Sequence, residues 1–417
     1  MHFPAVHAFW IWLIALSSIV CMLLRPWRIP EAVWVAAGAL LLIVTRLLPV
    51  RAAAQAVGKG TDVYFFLTGM MLLAELARHE GVFDWIADIA VRHAGNSADR
   101  LFLLIYLTGT VVTALLSNDA TAVVLTPAIL AAVRRARVEP KPYLLACALI
   151  ANAASFLLPV SNPSNLVVYD NHLPPLGSWI RIFLLPSAAS ILATYFCLRF
   201  LSRSTLTQQI HSPEKPVSLD TAGHLALGGL IFASVVLLTA SGLGIGLGIP
   251  TCAAAIVSLI LVSTKDRAIY KIAAVEIAWS ILPLVAGLFI LVEALNGAGM
   301  LRLLEATFLW LAREPRLIGY LGVSGGAAIL SNLMNNLPVA LAGGAVLNIA
   351  PRLSSAVLIG VNLGPNLSVT GSLATILWLI ALRREQIAFT RKQFFKTGLI
   401  VMPVTLLASI LVLWLAG

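Results

Sequence analysis

Long apolar runs separated by short polar loops follow one another along almost the whole chain. A helix crosses the hydrocarbon core of a bilayer with about 20 apolar residues. By this measure, each of the following segments predicts one membrane-spanning helix: 7–24, 31–49, 61–78, 179–200, 221–240, 246–263, 276–296 and 394–416. The first run has no preceding Lys or Arg and is followed by Arg25 and Arg28, so we expect a retained helix rather than a cleaved secretory signal.

Two further apolar stretches, 100–137 and 317–350, are too long for one span and contain a polar pair near the middle. Asn118-Asp119 lies in the first, where Asp119 is the only charged residue between positions 101 and 133, and Asn335-Asn336 lies in the second. We predict two re-entrant hairpins with these pairs at their tips. An acid or amide at membrane depth is costly unless it faces a cavity or a partner, so each tip is a candidate substrate or ion site.

Stretches 142–176 and 353–382 predict helices that are broken within the membrane. Polar residues interrupt them at 161–165 and at 362–366. A break frees backbone N–H and C=O groups, and the half-helix ends carry partial charges that can hold an ion or a polar solute. Segments 82–92 and 300–313 predict amphipathic helices at the membrane surface.

The distribution of basic residues predicts how the chain is oriented. Lys and Arg concentrate in cytoplasmic loops. About 20 of the 28 basic residues lie on the cytoplasmic side under one arrangement. In it, the first hairpin starts and ends on the cytoplasmic side of the membrane, and the second starts and ends on the opposite side. The prediction is an all-α polytopic membrane protein with two inverted-topology repeats, 1–201 and 221–417, joined by a cytoplasmic linker at 202–220. Each repeat has about five transmembrane helices, one of them broken, plus one hairpin, and both termini are periplasmic.

Matching residues in the two halves support the repeat. Gly69, Glu75 and Gly81 recur 218 positions later as Gly287, Glu293 and Gly299, and the tip Asn118-Asp119 recurs 217 positions later as Asn335-Asn336. Pro163 corresponds to Pro365 only after a deletion in the intervening loop. Glu75 and Glu293 lie near helix ends, where a structural role is expected.

The candidate site is a neutral pocket rich in amides and hydroxyls, formed where the tips and breaks converge. Asp119 is predicted to exchange a proton, since an acid buried in the membrane is suited to do so. Isolated Asn, Ser and Thr residues also join membrane helices through hydrogen bonds, which is the structural alternative for each of them. The predicted substrate-binding residues are Ser117, Asn118, Thr121, Asn162, Ser164, Asn165, Asn335, Asn336, Asn366 and Thr370.

Several classes of function are excluded or disfavoured by composition. Hydrophobic residues make up 60% of the chain and charged residues 11%, so the net charge of +10 indicates loop topology rather than nucleic-acid binding. The four cysteines lie singly in apolar segments, which argues against disulfides and zinc. The glycines at 242–248 lack the Lys-Ser/Thr of a phosphate loop. We expect no cofactor and no enzymatic centre.

The polar strings resemble those of a known family. Ser117 to Pro127, Ser161 to Leu166, Asn335 to Pro338 and Gly364 to Ser372 are similar to segments of the arsenite/antimonite efflux permeases (ArsB type) of the ion-transporter superfamily. The resemblance runs over essentially the whole chain. It implies two inverted repeats, each with a re-entrant hairpin and a broken helix, in a bacterial cytoplasmic membrane.

The resemblance also implies a substrate and a site. Trivalent arsenic at neutral pH is largely the uncharged As(OH)3, and neutral Asn, Ser and Thr groups suit a triol. The family implies export of arsenite and antimonite in exchange for protons, either alone or with a soluble arsenite-stimulated ATPase. The positions that match the family motifs, and would line the site, are Asn118, Asp119, Thr121, Asn162, Asn165, Asn335, Asn336 and Asn366.

Two alternatives remain open from the sequence. A sodium/proton antiporter of the same superfamily would use the same breaks, with Asp119 and backbone carbonyls as hard oxygen ligands for sodium. A passive arsenite channel subunit, driven by an ATPase, would tolerate a neutral residue in place of Asp119.

Overall fold

The computed structural model describes residues 5–169, 173–210, 216–344 and 350–416, and within these ranges the chain forms helices and no strand. The first half contains α1 (Ala5–Leu24), α2 (Glu31–Val44), α3 (Val50–Lys59), α4 (Thr61–His79), α5 (Val82–His93), α6 (Ala98–Leu115), α7 (Asn118–Ala120), α8 (Thr126–Arg135), α9 (Lys141–Ala153), α10 (Pro163–Tyr169) and α11 (Leu176–Leu201). The second half contains α12 (Thr221–Gly242), α13 (Gly248–Ser263), α14 (Ile269–Val275), α15 (Ile281–Gly297), α16 (Met300–Arg313), α17 (Arg316–Met334), α18 (Asn336–Gly344), α19 (Ser354–Leu363), α20 (Leu373–Arg384) and α21 (Arg391–Ala416).

Membrane-spanning helices dominate the fold. Among the described residues, 6 helices are long and apolar enough to cross a bilayer, namely α1, α6, α11, α12, α17 and α21, and the number rises to 8 if each bent pair counts as one span. The bent pairs are α3 with α4, at 50°, and α15 with α16, at 77°. The prediction of an all-α polytopic membrane protein is confirmed.

Two predicted spans are shorter in the structure. Segment 31–49 is helical only to Val44, because Arg46 takes a left-handed conformation with φ of 58° and Pro49 disfavours a helix at the residue before it. Segment 276–296 becomes a continuous helix only at Ile281. The predicted linker 202–220, hairpin 317–350 and broken helix 142–176 each include residues outside the described ranges (211–215, 345–349 and 170–172).

Glycines at matching positions shape both halves. Gly81 and Gly299, with φ of 71° and 99°, begin α5 and α16 in a left-handed conformation that favours glycine. A Cβ atom at Gly69 of α4 would lie 2.7 Å from the backbone of Thr251 in α13, and one at Gly287 of α15 would lie 2.7 Å from the Val35 side chain in α2. Each half therefore packs one helix tightly against a helix of the other half.

The chain reverses direction between α6 and α8. The Thr113 and Thr121 hydroxyl oxygens lie 2.8 Å apart across the turn. Gln208 accepts hydrogen bonds from both ends of the segment: its backbone oxygen from the Ala98 N–H and its side-chain oxygen from the Glu139 N–H, each at 3.4 Å. Residues 98 and 139 therefore lie at the same end of the molecule, and the tip Asn118-Asp119 is carried into its interior.

Candidate functional site

Asparagines connect the two broken helices. Asn362 Oδ1 accepts hydrogen bonds from Ser155 Oγ at 2.5 Å and from Asn162 Nδ2 at 2.7 Å, and Asn362 Nδ2 donates to Asn165 Oδ1 at 3.0 Å. Asn152 Nδ2 donates to Asn366 Oδ1 at 3.0 Å. All six of these side chains are buried. Buried amides that are fully paired hold the two halves together and leave little hydrogen-bonding capacity for a solute.

The two breaks have the same internal order. In the first, α9 ends at Ala153, a 3₁₀ turn covers Pro159–Ser161 and α10 starts at Pro163; in the second, α19 ends at Leu363, the turn covers Val369–Gly371 and α20 starts at Leu373. The correspondence is thus 210 positions. Pro163 corresponds to Leu373 rather than Pro365, so that proposed match is wrong: Pro163 starts a half-helix, whereas Pro365 lies in the turn directly after one.

Hydrogen bonds across the halves follow the same correspondence. One contact is the hydrogen bond that Asn362 accepts from Asn162, and the other is the one that Asn152 accepts from Ser372. Asn152 and Asn362 are 210 positions apart, and so are Asn162 and Ser372. The donor–acceptor distances are 2.7 and 3.5 Å. Exchanging the halves therefore maps one contact onto the other, as an approximate two-fold relation between the breaks requires.

The first tip places an amide and a carboxylate at a helix start. Ser117 Oγ accepts from the Ala120 N–H at 3.2 Å, which caps α7. Asn118 is 3% exposed, and its Oδ1 atom has no hydrogen-bond partner among the described residues. Asp119 is partly exposed to a cavity and, within the same residues, makes no hydrogen bond or ion pair. Two acceptor groups are therefore available at this tip.

The second tip has a similar position but no charge. Asn335 adopts a left-handed φ of 75°, and its Oδ1 accepts from the Leu337 N–H at 3.3 Å, so this side chain caps α18. Asn336 is 3% exposed and faces the same small cavity as Asn118 and Asp119.

Both tips and both breaks meet at a small cavity of about 20 Å³. This volume holds about one water molecule. Ser164 Oγ, fully buried in its wall, is the second polar atom here with no partner among the described residues. The polar lining consists of Asn118, Asp119, Asn162, Ser164, Asn336 and Ser372, with no Lys or Arg among the described residues that line it.

A larger cavity of about 630 Å³ leads to the same point. Ser117, Asp119 and Pro163 lie at its inner end, and apolar side chains such as Phe66, Met70 and Leu377 form its walls. Besides Asp119, its charged lining residues are Glu75, Arg78, Asp84, Glu276, Arg384 and Glu385. Asp119 and Pro163 border both cavities, so the inner end of the larger cavity lies against the small cavity that holds the orphaned polar atoms.

Ion pairs surround the mouth of this cavity. Arg78 pairs with both Glu75 and Glu276, and Arg134 Nη1 lies 3.1 Å from Glu385 Oε2. Burial raises the pKa of Asp84, and the positive charges of Arg135 and Arg78 oppose this shift. Because the basic groups at the mouth have acidic neighbours, the entrance holds charges of both signs.

The structure brings together part of the predicted site. Ser117, Asn118, Asp119, Asn162, Ser164 and Asn336 line one or both cavities. The remaining predicted residues (Thr121, Asn165, Asn335, Asn366 and Thr370) do not line either cavity. Thr121 bonds Thr113, Asn165 and Asn366 bond across the breaks, and Thr370 bonds the Asn332 backbone at 3.3 Å.

Asn152 and Ser155 were missed as site-building residues. They precede the predicted break because α9 ends at Ala153, earlier than the polar string 161–165 indicates. Their polarity within an apolar run was the available signal.

Neither thiols nor clustered ligands occupy this region. The cysteines Cys21, Cys147, Cys197 and Cys252 are free and lie on four different helices. Among the described residues, one group has metal-ligating atoms within 4.8 Å of one another, namely His79, Glu80 and Asp266, and it does not line either cavity.

Comparison with known proteins identifies the family. Residues 11–382 match the profile described as citrate transporter. The arsenical pump membrane protein of Yersinia enterocolitica is 30% identical over 352 residues, covering 80% of this chain and 81% of that protein. The protein of the same description from Escherichia coli K12 is 30% identical over 358 residues, with the same coverage.

The fold resembles a solved transporter structure. The YdaH transporter of Alcanivorax borkumensis superposes with a TM-score of 0.57 over 87% of this chain and 86% of that chain, at 14% identity, which supports the fold alone. The resemblance stated from the polar strings is confirmed. The chain is a multi-pass bacterial membrane transporter and belongs to the arsenical pump permeases (ArsB type) within the citrate transporter family.

Proposed function

We propose that this protein exports trivalent arsenic from the cytoplasm as the neutral trihydroxide, and antimonite likewise, in exchange for protons. The proposal is carried by two buried atoms, Asn118 Oδ1 and Ser164 Oγ, and the neighbouring carboxyl of Asp119, none of which has a hydrogen-bond partner among the described residues. Relatives at 30% identity are described as arsenical pump membrane proteins, which supports the same substrate class.

The site has the hydrogen-bonding capacity that a triol needs. As(OH)3 offers three hydroxyl donors, and the Asn118 amide, the Ser164 hydroxyl and the Asp119 carboxylate offer three acceptors in one buried region. The cavity between them holds about one water molecule as it stands, so binding the triol requires the tip and the break to move apart. Leaving such acceptors unpaired is costly, so a solute that satisfies them gains binding free energy. A citrate-like trianion would meet a carboxylate and no cation in this cavity, so the neutral substrate is the better match.

Asp119 supplies the coupling. As a carboxylate, Asp119 accepts a hydrogen bond from a hydroxyl of the solute. When Asp119 is protonated, its negative charge is lost and this hydrogen bond becomes weaker. Protonation and solute binding therefore compete at one side chain. A carrier in which the two ligands compete, and which moves only when loaded, exchanges one for the other across the membrane.

Orientation follows from the basic residues. The larger cavity opens beside Arg384 and Glu385, next to the basic segment 134–141. Burial, together with the positive charges of Arg391 and Arg383, lowers the pKa of Arg25 to about 10, which supports a position of the end of α1 at this same end of the molecule. We assign this end to the cytoplasm because basic loops concentrate there, so both termini are periplasmic and the cavity admits solute from the cytoplasm.

The inverted repeat is part of the proposal. The Gly69–Thr251 and Gly287–Val35 contacts, and the reciprocal hydrogen bonds of Asn152 and Asn362, support two halves related by a two-fold axis. Half-helix ends from both repeats then face one central site, as in other secondary transporters.

Flux measurements test this function. The purified protein, without any ATPase, is reconstituted into liposomes with an imposed pH gradient, with and without sodium, and arsenite uptake is measured. Gradient-driven uptake that stops with a protonophore and ignores sodium is expected. Sodium-dependent dissipation of the pH gradient without arsenite movement would reassign the protein as a sodium/proton antiporter. Downhill arsenite flux that ignores the pH gradient would indicate a passive channel.

A further inference from the structure

A groove lies at the C-terminal end of α11, and none of its lining residues lines either of the two cavities described above. The groove, of about 640 Å³, is lined by Asp99, Phe196, Arg199, Phe200, Arg203 and Thr207, together with Leu206. It lies between the end of a membrane-spanning helix and the start of α6. We propose that this groove binds the headgroup of an anionic phospholipid, of the phosphatidylglycerol type, with its acyl chains along α11.

The net charge of the groove matches that of a single phosphodiester group. Arg199 is neutralised by Asp99, since its Nε and Nη2 atoms donate to the two carboxylate oxygens at 2.7 and 2.9 Å. Arg203 lies with its guanidinium carbon 5.0 Å from the centre of the Phe200 ring and has no carboxylate within 4.0 Å in the described part of the chain. The groove therefore carries one uncompensated positive charge, which matches the single negative charge of a phosphodiester.

Exposed aromatic rings point to a lipid rather than free phosphate. Phe196 and Phe200 are 59% and 65% exposed and lie one helical turn apart on a helix long enough to span the bilayer. In the membrane, their faces are covered by acyl chains. Arg203 and the Thr207 hydroxyl follow directly after the helix, at the depth where headgroup phosphates lie.

The same contacts favour an anionic over a zwitterionic lipid. The ammonium group of phosphatidylethanolamine would need an acidic partner. Asp99 is the acid in the groove, and both of its carboxylate oxygens already accept hydrogen bonds from Arg199. Phosphatidylglycerol has no such requirement, and its glycerol hydroxyls suit the polar rim beside Thr207.

Native mass spectrometry of the delipidated full-length protein tests this site. Phosphatidylglycerol and phosphatidylethanolamine with identical acyl chains are titrated onto the wild type, Arg203→Gln, Arg203→Lys and a matched control, Arg267→Gln, which removes an exposed cation outside the groove. One basic contact predicts about fivefold tighter binding of phosphatidylglycerol in the wild type and control. This preference should disappear in Arg203→Gln and persist in Arg203→Lys.

Three outcomes would overturn the assignment. These are equal binding of the two lipids to the wild type, an unchanged preference in Arg203→Gln, and displacement of phosphatidylglycerol by soluble glycerol phosphate at equal concentration. The last would mean that the groove recognises a free phosphate and that the aromatic face contributes nothing. Because Arg203 is exposed, the variant should fold, and elution as a monodisperse species confirms that it has.

Discussion

The two tips have related sequences and face one cavity, yet they differ in which polar atoms remain available to bind a solute. At Asn118-Asp119 the cap is made by Ser117, so the amide oxygen and the carboxylate are both free to bind. At Asn335-Asn336 the first asparagine is itself the cap, and the second carries no charge. Two similar tips thus meet at one cavity, while a few side-chain differences leave the free carboxylate in one half alone.

Replacing Asp119 by Asn removes the charge that distinguishes the tips, and should have the largest effect. Uptake of arsenite driven by a pH gradient should fall to the level of empty liposomes, because the variant has no exchangeable proton at the site. Flux in proteoliposomes and thermal unfolding are measured together, with Asp266→Asn on a surface loop as the control. Gradient-driven uptake that survives in a folded Asp119→Asn protein would refute the coupling role.

Adding a charge to the second tip, with Asn336→Asp, should have the next largest effect. Two carboxyls in one buried cavity repel each other when both are ionised. Asn336→Asp should therefore unfold at a lower temperature than Asn336→Leu, a variant of similar size without the charge. Equal unfolding temperatures for the two variants would show that the carboxyls do not repel each other.

Alanine at the two leading asparagines should separate binding from folding. Asn118→Ala removes an acceptor that has no partner in the described part of the chain, so it should raise the KM for arsenite about tenfold with little loss of stability. Asn335→Ala removes a helix cap at a left-handed position and should cost about 2 kcal/mol of stability. Thermal unfolding in detergent and the KM for arsenite are measured on both variants. Asn335→Gly should recover part of the lost stability, because glycine adopts the left-handed backbone conformation at this position without strain. The reverse pattern would exchange the roles of these two residues.

Cys147→Ser should have the smallest effect. Cys147 is buried on α9 and is not among the residues that line either cavity, so the proposed mode of binding, by hydrogen bonds, does not involve this thiol. Arsenite KM and gradient-driven flux should match the wild type. A loss of arsenite binding without a loss of folding would point instead to thiol capture.

Hydropathy and the placement of polar pairs were enough to predict the membrane class and most of the polar residues that line the inner ends of the two cavities. Ser117, Asn118, Asp119, Asn162, Ser164 and Asn336 could be chosen because polar groups in long apolar runs need an internal partner or a solute. Asn165 and Asn366 satisfy the same criterion, but their partners lie 197 and 214 positions away. No local pattern distinguishes an amide that binds a solute from one that joins two helices.

The sequence by itself determined the apolar spans, the polar interruptions and the repetition of the tip, because these depend on local composition and on spacing along the chain. Only the tertiary structure decided which polar atoms remain unpaired, that the breaks correspond by 210 positions and that Pro163 and Pro365 are not equivalent. The physical reason is that a buried donor or acceptor is satisfied by whatever the fold brings within about 3 Å, and that distance depends on packing between segments far apart in sequence.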